Sequence, residues 1–301
     1  MLLHRLRRIT QIFTTPTYRR VLLCRLYCHL LSRLNPNLRY LGMADGDETT
    51  FLFLQDSVVT PYTVAVGNFA RDDLHRVIAL CDKIGAALGG TFLDIGANIG
   101  TSTLYAMRSG RFQRALCVEP APANLKLLRL NMDANGLVGK VVVRANAISN
   151  KRGVMKLALS KANCGDHRVV GAPTAPMGDT IDIEVETLDN ILVEEGILPE
   201  SVSLVWIDTQ GHEGYVLSGA SALIQRGVPF CIEFWPQALQ EAGCYEALLE
   251  IIEREFEKFI ELGLGNAKTL QSTESIRHFA KRFEGTIYHT DLFLVPRRKG
   301  V

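Results

Sequence analysis

Residues 91–100 read Thr-Phe-Leu-Asp-Ile-Gly-Ala-Asn-Ile-Gly, and Cys117-Val-Glu-Pro120 follows shortly after. A short apolar run ends at Asp94, a tight turn carries Gly96 and Gly100, and a second apolar run at 115–118 delivers Glu119 beside that turn. Strand, glycine turn, helix, strand and acid, in that order, build a nucleoside site at the carboxyl ends of strands in a doubly wound α/β domain. The glycines let backbone approach the ligand, and the acid accepts two ribose hydroxyls. A pyrophosphate loop would instead read Gly-x-Gly-x-x-Gly, with backbone N–H groups facing phosphate. Here Ala97-Asn98 fills the middle, and Asp94 puts negative charge at the loop mouth. That charge repels phosphate and suits an ammonium and a sulfonium. S-adenosylmethionine is therefore expected in preference to a nicotinamide dinucleotide.

Methyl transfer from a sulfonium needs donor and acceptor held in line, and a group to take the acceptor's proton. Asp94, Gly96, Asn98 and Gly100 are expected around the methionine moiety, Glu119 at the ribose, and Asn146 with Ala147 at the adenine. The bland alternatives are helix N-capping for Asp94 and plain turn formation for the glycines. Asp208 closes the apolar run 202–207, where it could orient the cofactor, accept the acceptor's proton or bind a metal, or else cap the next helix. His212 is a candidate general base because imidazole titrates near neutrality; it competes with a histidine that only orders its loop. His167 is the rival base. Asp166 could orient it and Arg168 could clamp an acceptor, unless the three form a solvated charge cluster. Glu233 and Trp235 end the run 230–234 on the same edge, where Trp235 would stack on a sugar ring or close the core. Glu213 is expected on the loop or first helical turn, as a surface cap or a functional acid. A divalent cation on Asp208, Glu233 and Asp166 ranks lower, since no compact ligand motif is present.

The elements that must position these residues alternate strand and helix from about residue 90, which argues for a mainly parallel sheet. Strands are expected at 92–95, 115–118, 141–144, 202–207, 230–234 and 291–295, with a weaker one near 256–262. Helices are expected at 74–88, 102–107, 124–135 and 188–195. Residues 152–187 break the rhythm as two strands, 154–159 and 181–186, joined by a long polar loop of the kind that is usually functional. Residues 51–69 alternate around Thr60-Pro61 and suggest a hairpin or cover segment.

The chain has 301 residues, 47% hydrophobic and 22% charged, enough to bury a full core. Its formal net charge of +1 hides an asymmetry. Residues 1–44 hold eight arginines and no Asp or Glu, leaving 25 of the 33 basic residues against all 32 acidic ones, a balance of −7. No basic stripe in the main part suggests nucleic acid. The arginine-rich segment is helical in pattern, breaks at Thr14-Thr15-Pro16 and ends at Asn35-Pro36-Asn37. Three readings compete for it: a helix pair packed on the main domain, a helix lying on a membrane surface, and a mitochondrial-type presequence. The seven cysteines are scattered with no Cys-x-x-Cys pair, which points to a reducing, cytoplasmic compartment without disulfides or zinc. No stretch reaches the ~20 apolar residues that span a bilayer.

Several segments resemble FkbM-type S-adenosylmethionine-dependent methyltransferases: Asp94-Ile-Gly-Ala-Asn-Ile-Gly100, Glu119-Pro120, Asn131 with Asn135-Gly136, Asn146-Ala147, Leu188-Asp189, and Trp206-Ile-Asp-Thr-Gln-Gly-His-Glu213 followed by Leu217-x-Gly-Ala220. The likeness runs from about residue 75 to 295. Cys164-Gly-Asp-His-Arg168 and Ile232-Glu-Phe-Trp-Pro236 look like a bacterial subgroup, with Cys164 standing where a small polar residue is typical. The resemblance implies a Rossmann-like seven-stranded methyltransferase fold, mostly parallel with its last strand antiparallel, and O-methylation of a sugar, glycolipid or secondary metabolite. The expected division is a helical extension and cover at 1–74 and a transferase domain at 75–301. Expected partners are a small-molecule or glycan acceptor and, through residues 1–44, a membrane surface. Two other readings stay open, a non-catalytic scaffold that binds S-adenosylmethionine or is recruited to a membrane, and an NAD(P)-linked oxidoreductase.

Overall fold

The computed structural model describes residues 15–170, 179–263, 269–283 and 285–297. Arg5, Arg7, Arg8 and the stretch 171–178 of the long polar loop lie outside the described residues. Helix α1 (Pro16–Leu34) begins at the break seen in the sequence. The Thr15 hydroxyl accepts the Tyr18 N–H at 3.3 Å, and Pro16 occupies the first turn, where no N–H is needed. Asn35 closes it. Strands β1 (Tyr40–Asp45) and β2 (Glu48–Phe53) form an antiparallel hairpin.

That hairpin lies earlier than expected. Thr60-Pro61 is not a turn but the first turn of helix α2 (Val59–Val66). Pro61 is tolerated there because the first N–H groups of a helix have no intrahelical acceptor. Asp56 stabilises the same end, its Oδ2 accepting the Thr60 N–H at 2.6 Å. Helix α3 (Arg71–Lys83) follows; it stops at Gly85, which has φ +68°, rather than at Gly89-Gly90.

The central sheet comes next: β3 (Thr91–Ile95), α4 (Thr101–Arg108), β4 (Arg114–Val118), α5 (Pro122–Ala134) and β5 (Val141–Arg144). After an insertion it resumes with α6 (Leu188–Glu194), β10 (Val202–Ile207), α7 (Glu213–Ser218), α8 (Ser221–Gln225) and β11 (Phe230–Phe234). Helices α9 (Pro236–Ala242) and α10 (Tyr245–Glu255) lead to β12 (Phe256–Glu261), β13 (Gln271–Ser272), α11 (Ile276–Ala280) and β14 (Thr290–Pro296). The order across the sheet is β13-β12-β14-β11-β10-β3-β4-β5. Strands β5, β4, β3, β10 and β11 run parallel, and β14 is antiparallel to both β11 and β12. The seven expected strands are all present, and the two-residue β13 adds an eighth at the edge. Strand order reverses at β3 and β10, which opens a crevice at their carboxyl ends.

Central strands are buried on both faces. Phe92 packs into one hydrophobic layer, Leu93 and Ile95 into the other, and none is more than 1% exposed. At about 1.5–3 kcal/mol per large side chain, this burial anchors the turn that follows β3. The insertion folds as a second sheet, with β6 (Ala147–Ile148), β7 (Gly153–Ala158), β8 (Arg168–Val170) and β9 (Thr180–Glu186) in the order β6-β9-β7-β8. Its unexpected strand β8 places Arg168.

The hairpin is fastened to α5 by two asparagines. Asn131 Oδ1 accepts the Phe51 N–H at 2.7 Å, and its Nδ2 donates to the Phe51 and Ile99 carbonyls at 3.2 and 2.8 Å. Asn135 treats Thr49 the same way, at 3.0 and 2.6 Å. These amides stand in for a neighbouring strand and satisfy an otherwise unpaired edge.

Candidate active site

A cavity of about 470 Å³ opens at the carboxyl ends of β3, β4, β10 and β11, roofed by α2 and the segment 163–169. Its floor is the turn after β3. The Gly96 and Ala97 N–H groups both donate to the Val118 carbonyl, at 2.9 and 3.1 Å. Gly96 has φ +84°, and a Cβ there would collide with the Asp208 carbonyl oxygen. Gly100 has φ +87° and lies against Leu128 and Met132, so a side chain would push α5 away. Asn98 also takes a left-handed conformation, at φ 52°, which asparagine tolerates. Its buried Oδ1 has no hydrogen-bond partner among the described residues.

Glu119 is 5% exposed and is held at both oxygens by backbone: Oε2 accepts the Asn98 N–H at 2.9 Å, and Oε1 the Ala121 N–H at 2.8 Å. With the Asn124 side chain also bonded to it, the carboxylate still has acceptor capacity for a further donor. Burial pushes its pKa up to about 7, against those amide hydrogen bonds. Asp94 is buried at the foot of the turn, where its Oδ2 accepts the Thr103 hydroxyl at 2.6 Å. Burial raises it to about 7 as well, opposed by Thr103 and helped by the nearby Asp208 charge. Asn146 and Ala147 line the wall beyond Glu119, and Arg144 Nε donates to Asn146 Oδ1 at 3.3 Å.

Across the cavity lies a second set of acids. Gln210 Nε2 donates to Asp208 Oδ1 at 2.6 Å and to Glu233 Oε2 at 3.0 Å, joining the ends of β10 and β11. Gln210 holds φ 55°, a conformation costly for a residue that is neither Gly nor Asn and concentrated at functional sites. Asp291 stands directly opposite Glu233 across the β11–β14 pair. Burial, then the Asp208 charge, raises Asp291 to about 8; burial and the same neighbours drive Glu233 well above the carboxylate range. Burial also raises Asp208, against the Gln210 hydrogen bond. So many acids around one space favour a cationic occupant. His289 Nε2 lies 3.8 Å from Glu233 Oε1.

Segment 163–169 supplies the remaining wall. His167 Nδ1 accepts the Ser160 N–H at 3.0 Å, so the neutral ring carries its proton on Nε2 and offers a donor. Burial lowers its pKa. Arg168 donates to Asp166 at 2.8 Å, and its guanidinium sits 4.4 Å from the Trp235 ring centroid. This cluster is therefore built, not solvated. Cys164 enters through its backbone: its N–H donates to Asp56 Oδ1, and its carbonyl accepts Asn124 Nδ2, both at 2.9 Å.

His212 lines the cavity but is 2% exposed. Its Nε2 meets the Ser149 hydroxyl at 3.1 Å, Nδ1 has no partner among the described residues, and burial lowers its pKa to about 4. Glu213 is fully buried rather than on the surface. Its carboxylate accepts the N–H groups of Thr209 (2.8 Å) and Gly211 (3.1 Å), and so folds the turn that presents Asp208 and Gln210. Among the described residues no three His, Cys, Asp or Glu side chains are placed to hold a metal ion.

Gln210, Asp291, Asp73 and His289 also line the cavity, beyond the site residues expected from the sequence. Asp291 was within reach. In a reversed last strand the first residue, not the final one, lies at the carboxyl edge.

A Rossmann-like sheet with its last strand reversed and an acid-lined cavity at its switch point defines a methyltransferase domain. The chain belongs to the methyltransferase FkbM domain family, whose sequence model matches residues 94–277. It is similar to the 2-O-methyltransferase NoeI of Sinorhizobium fredii, 25% identical over 195 residues that cover 60% of this chain and 76% of that protein. Among solved structures it is similar to methyltransferase FkbM from Methylobacillus flagellatus at 14% identity and a TM-score of 0.42, covering 91% of this chain and 59% of that one. It is also similar to an O-methyltransferase from Bacillus cereus in complex with SAH, at 12% identity and a TM-score of 0.45, covering 92% of this chain and 100% of that one.

Proposed function

We propose that this methyltransferase moves a methyl group from S-adenosylmethionine to a hydroxyl oxygen of a sugar, glycolipid or secondary metabolite in the cytoplasm. The observation that carries this reading is Glu119, a buried carboxylate aimed into the cavity by two backbone amides beside the glycine turn. The donor set fits the cofactor: carboxylates face a cationic ligand, and the buried Asn98 Oδ1 lacks the donor an ammonium would supply. Asp94, Gly96, Asn98 and Gly100 hold the methionine end, Glu119 the ribose, and Asn146 with Ala147 the adenine. When bound, the cofactor supplies an electrophilic methyl on a positively charged sulfur. In this reading residues 75–301 form the transferase domain and 1–74 an extension that covers it.

Asp208 takes the acceptor's proton. His167 already accepts an amide proton at Nδ1, and His212 is too weakly basic, so the two imidazoles donate to or orient the acceptor. Asp166, Arg168, Glu233 and Trp235 bind it. A ring stacked on Trp235 with hydroxyls donating to carboxylates is the polar-with-one-apolar-face pattern of a sugar. The similarity to a 2-O-methyltransferase supports oxygen as the acceptor atom.

Calorimetric titration with S-adenosylmethionine, S-adenosylhomocysteine and NAD, followed by methyl-transfer assays on sugar acceptors, tests the proposal. Binding of the two sulfur ligands but not NAD supports it. Binding of NAD alone, or of none of the three, overturns it.

A further inference from the structure

Helix α1 is inside out for a surface helix. Leu22, Leu23, Leu26, Tyr27, Leu30 and Leu34 are 50–81% exposed. At 3.6 residues per turn these six fall within an arc of about 140°. The other side of the helix, centred on buried Cys28, packs on α2. An apolar face of this size that no described residue covers marks an interaction surface.

Its charges say what covers it. Arg19 and Arg33 fall inside the apolar arc and Arg20 at its edge, while residues 1–44 contain no Asp or Glu. A second copy of α1 laid on this face would bring arginine onto arginine. A layer of phosphates over hydrocarbon complements both features, because arginine stems lie along apolar surface while their heads reach the headgroups. A groove of about 530 Å³ runs beside the helix between Arg25, His29 and the turn 54–57. Asp56 and Ser57 line this groove, and the next residues, Val58 and Val59, line the acid-rich cavity. One turn of chain thus separates the apolar face from the cavity wall.

We propose that α1 docks this protein on the surface of an anionic lipid bilayer, lying in the interface without crossing it. No helix among the described residues is long and apolar enough to span a membrane. Docking here sets the cavity beside the headgroup layer, within reach of an amphiphilic acceptor. The inference goes beyond the proposed reaction and does not depend on it.

Co-sedimentation of the full chain with sucrose-loaded vesicles tests this, comparing phosphatidylcholine alone with phosphatidylcholine mixed with phosphatidylglycerol. The protein is expected to pellet with the mixed vesicles and far less with phosphatidylcholine. Combining Arg19→Glu, Arg20→Glu and Arg33→Glu is expected to weaken binding on the order of a hundredfold, and Leu23→Ser with Leu30→Ser to abolish it. These side chains are exposed, so an unchanged thermal melt confirms that the variants fold. A protein that stays in the supernatant with anionic vesicles, or binds equally well after charge reversal, overturns the proposal. So does a lipid-free dimer by sedimentation velocity that the leucine substitutions dissociate.

Discussion

The carboxylate of Glu119, at the end of β4, accepts the backbone N–H of Asn98, in the turn after β3, at 2.9 Å. Two residues far apart in sequence thereby become one rigid corner of the cavity, and the acid is aimed before any ligand arrives. Glu119→Ala removes the acceptor of two amides and of any ribose hydroxyls. Hydrogen bonds to a charged group contribute about 1.5–3 kcal/mol each. Affinity for S-adenosylhomocysteine is therefore expected to fall at least about tenfold by calorimetry, and Glu119→Gln is expected to lose less.

The pH dependence of that binding has a definite sign. Burial raises Asp94 and Glu119 to about 7 and Asp291 to about 8, so all three are largely protonated at pH 6 in the free protein. A cationic ligand favours their ionised forms. Affinity for S-adenosylmethionine is expected to rise from pH 6 to pH 8 and then level off. Protons should be released, detected as a binding heat that changes with the ionisation enthalpy of the buffer.

The same shifts act on stability. Between the ordinary carboxyl range and pH 8 the unfolded chain holds fewer protons than the folded one, so stability falls as pH rises. His212, lowered to about 4, opposes this only below its unfolded value near 6.5. Between pH 6.5 and 8 the free protein is expected to melt at progressively lower temperature, by calorimetry. Saturating S-adenosylmethionine should reduce the slope.

Asp208→Asn keeps the shape of the β10 turn and removes the proposed proton acceptor. General base catalysis typically supplies about 10²–10⁴ in rate, so kcat is expected to drop by that order with cofactor affinity changed far less. His212→Gln and His167→Gln are expected to cost about tenfold or less. A larger loss at either histidine in steady-state assays would move the base there.

Gly96→Ala tests the packing of the turn. Its φ of +84° and the Asp208 carbonyl behind it leave no room for a methyl group. Left-handed strain alone costs about 1–3 kcal/mol, and the collision adds to it. Chemical denaturation is expected to show a loss on the order of 3 kcal/mol or more. Gly110→Ala, also at positive φ but with open space around it, is the control for backbone strain.

Much of the scaffold was legible from the chain, because buried parallel strands are short apolar runs and their ends carry polar residues. The runs 141–144, 202–207 and 230–234 coincide with β5, β10 and β11, and Asp94, Glu119, Asp208 and Glu233 sit at strand ends as their positions implied. The hairpin was misplaced because alternation around Pro61 does not reveal that Asp56 caps a helix there. The tertiary structure alone decided which acids meet. Asp291 joins Glu233 only because β14 runs backwards, and Gln210 links Asp208 to Glu233 only because its backbone takes a left-handed turn. It also decided that the leucines of α1 face outward, since helical spacing shows that a face exists but not which side packs. Local residue types carry strand, turn and charge. Register, handedness and burial arise between segments distant in sequence, and those set the chemistry of the cavity.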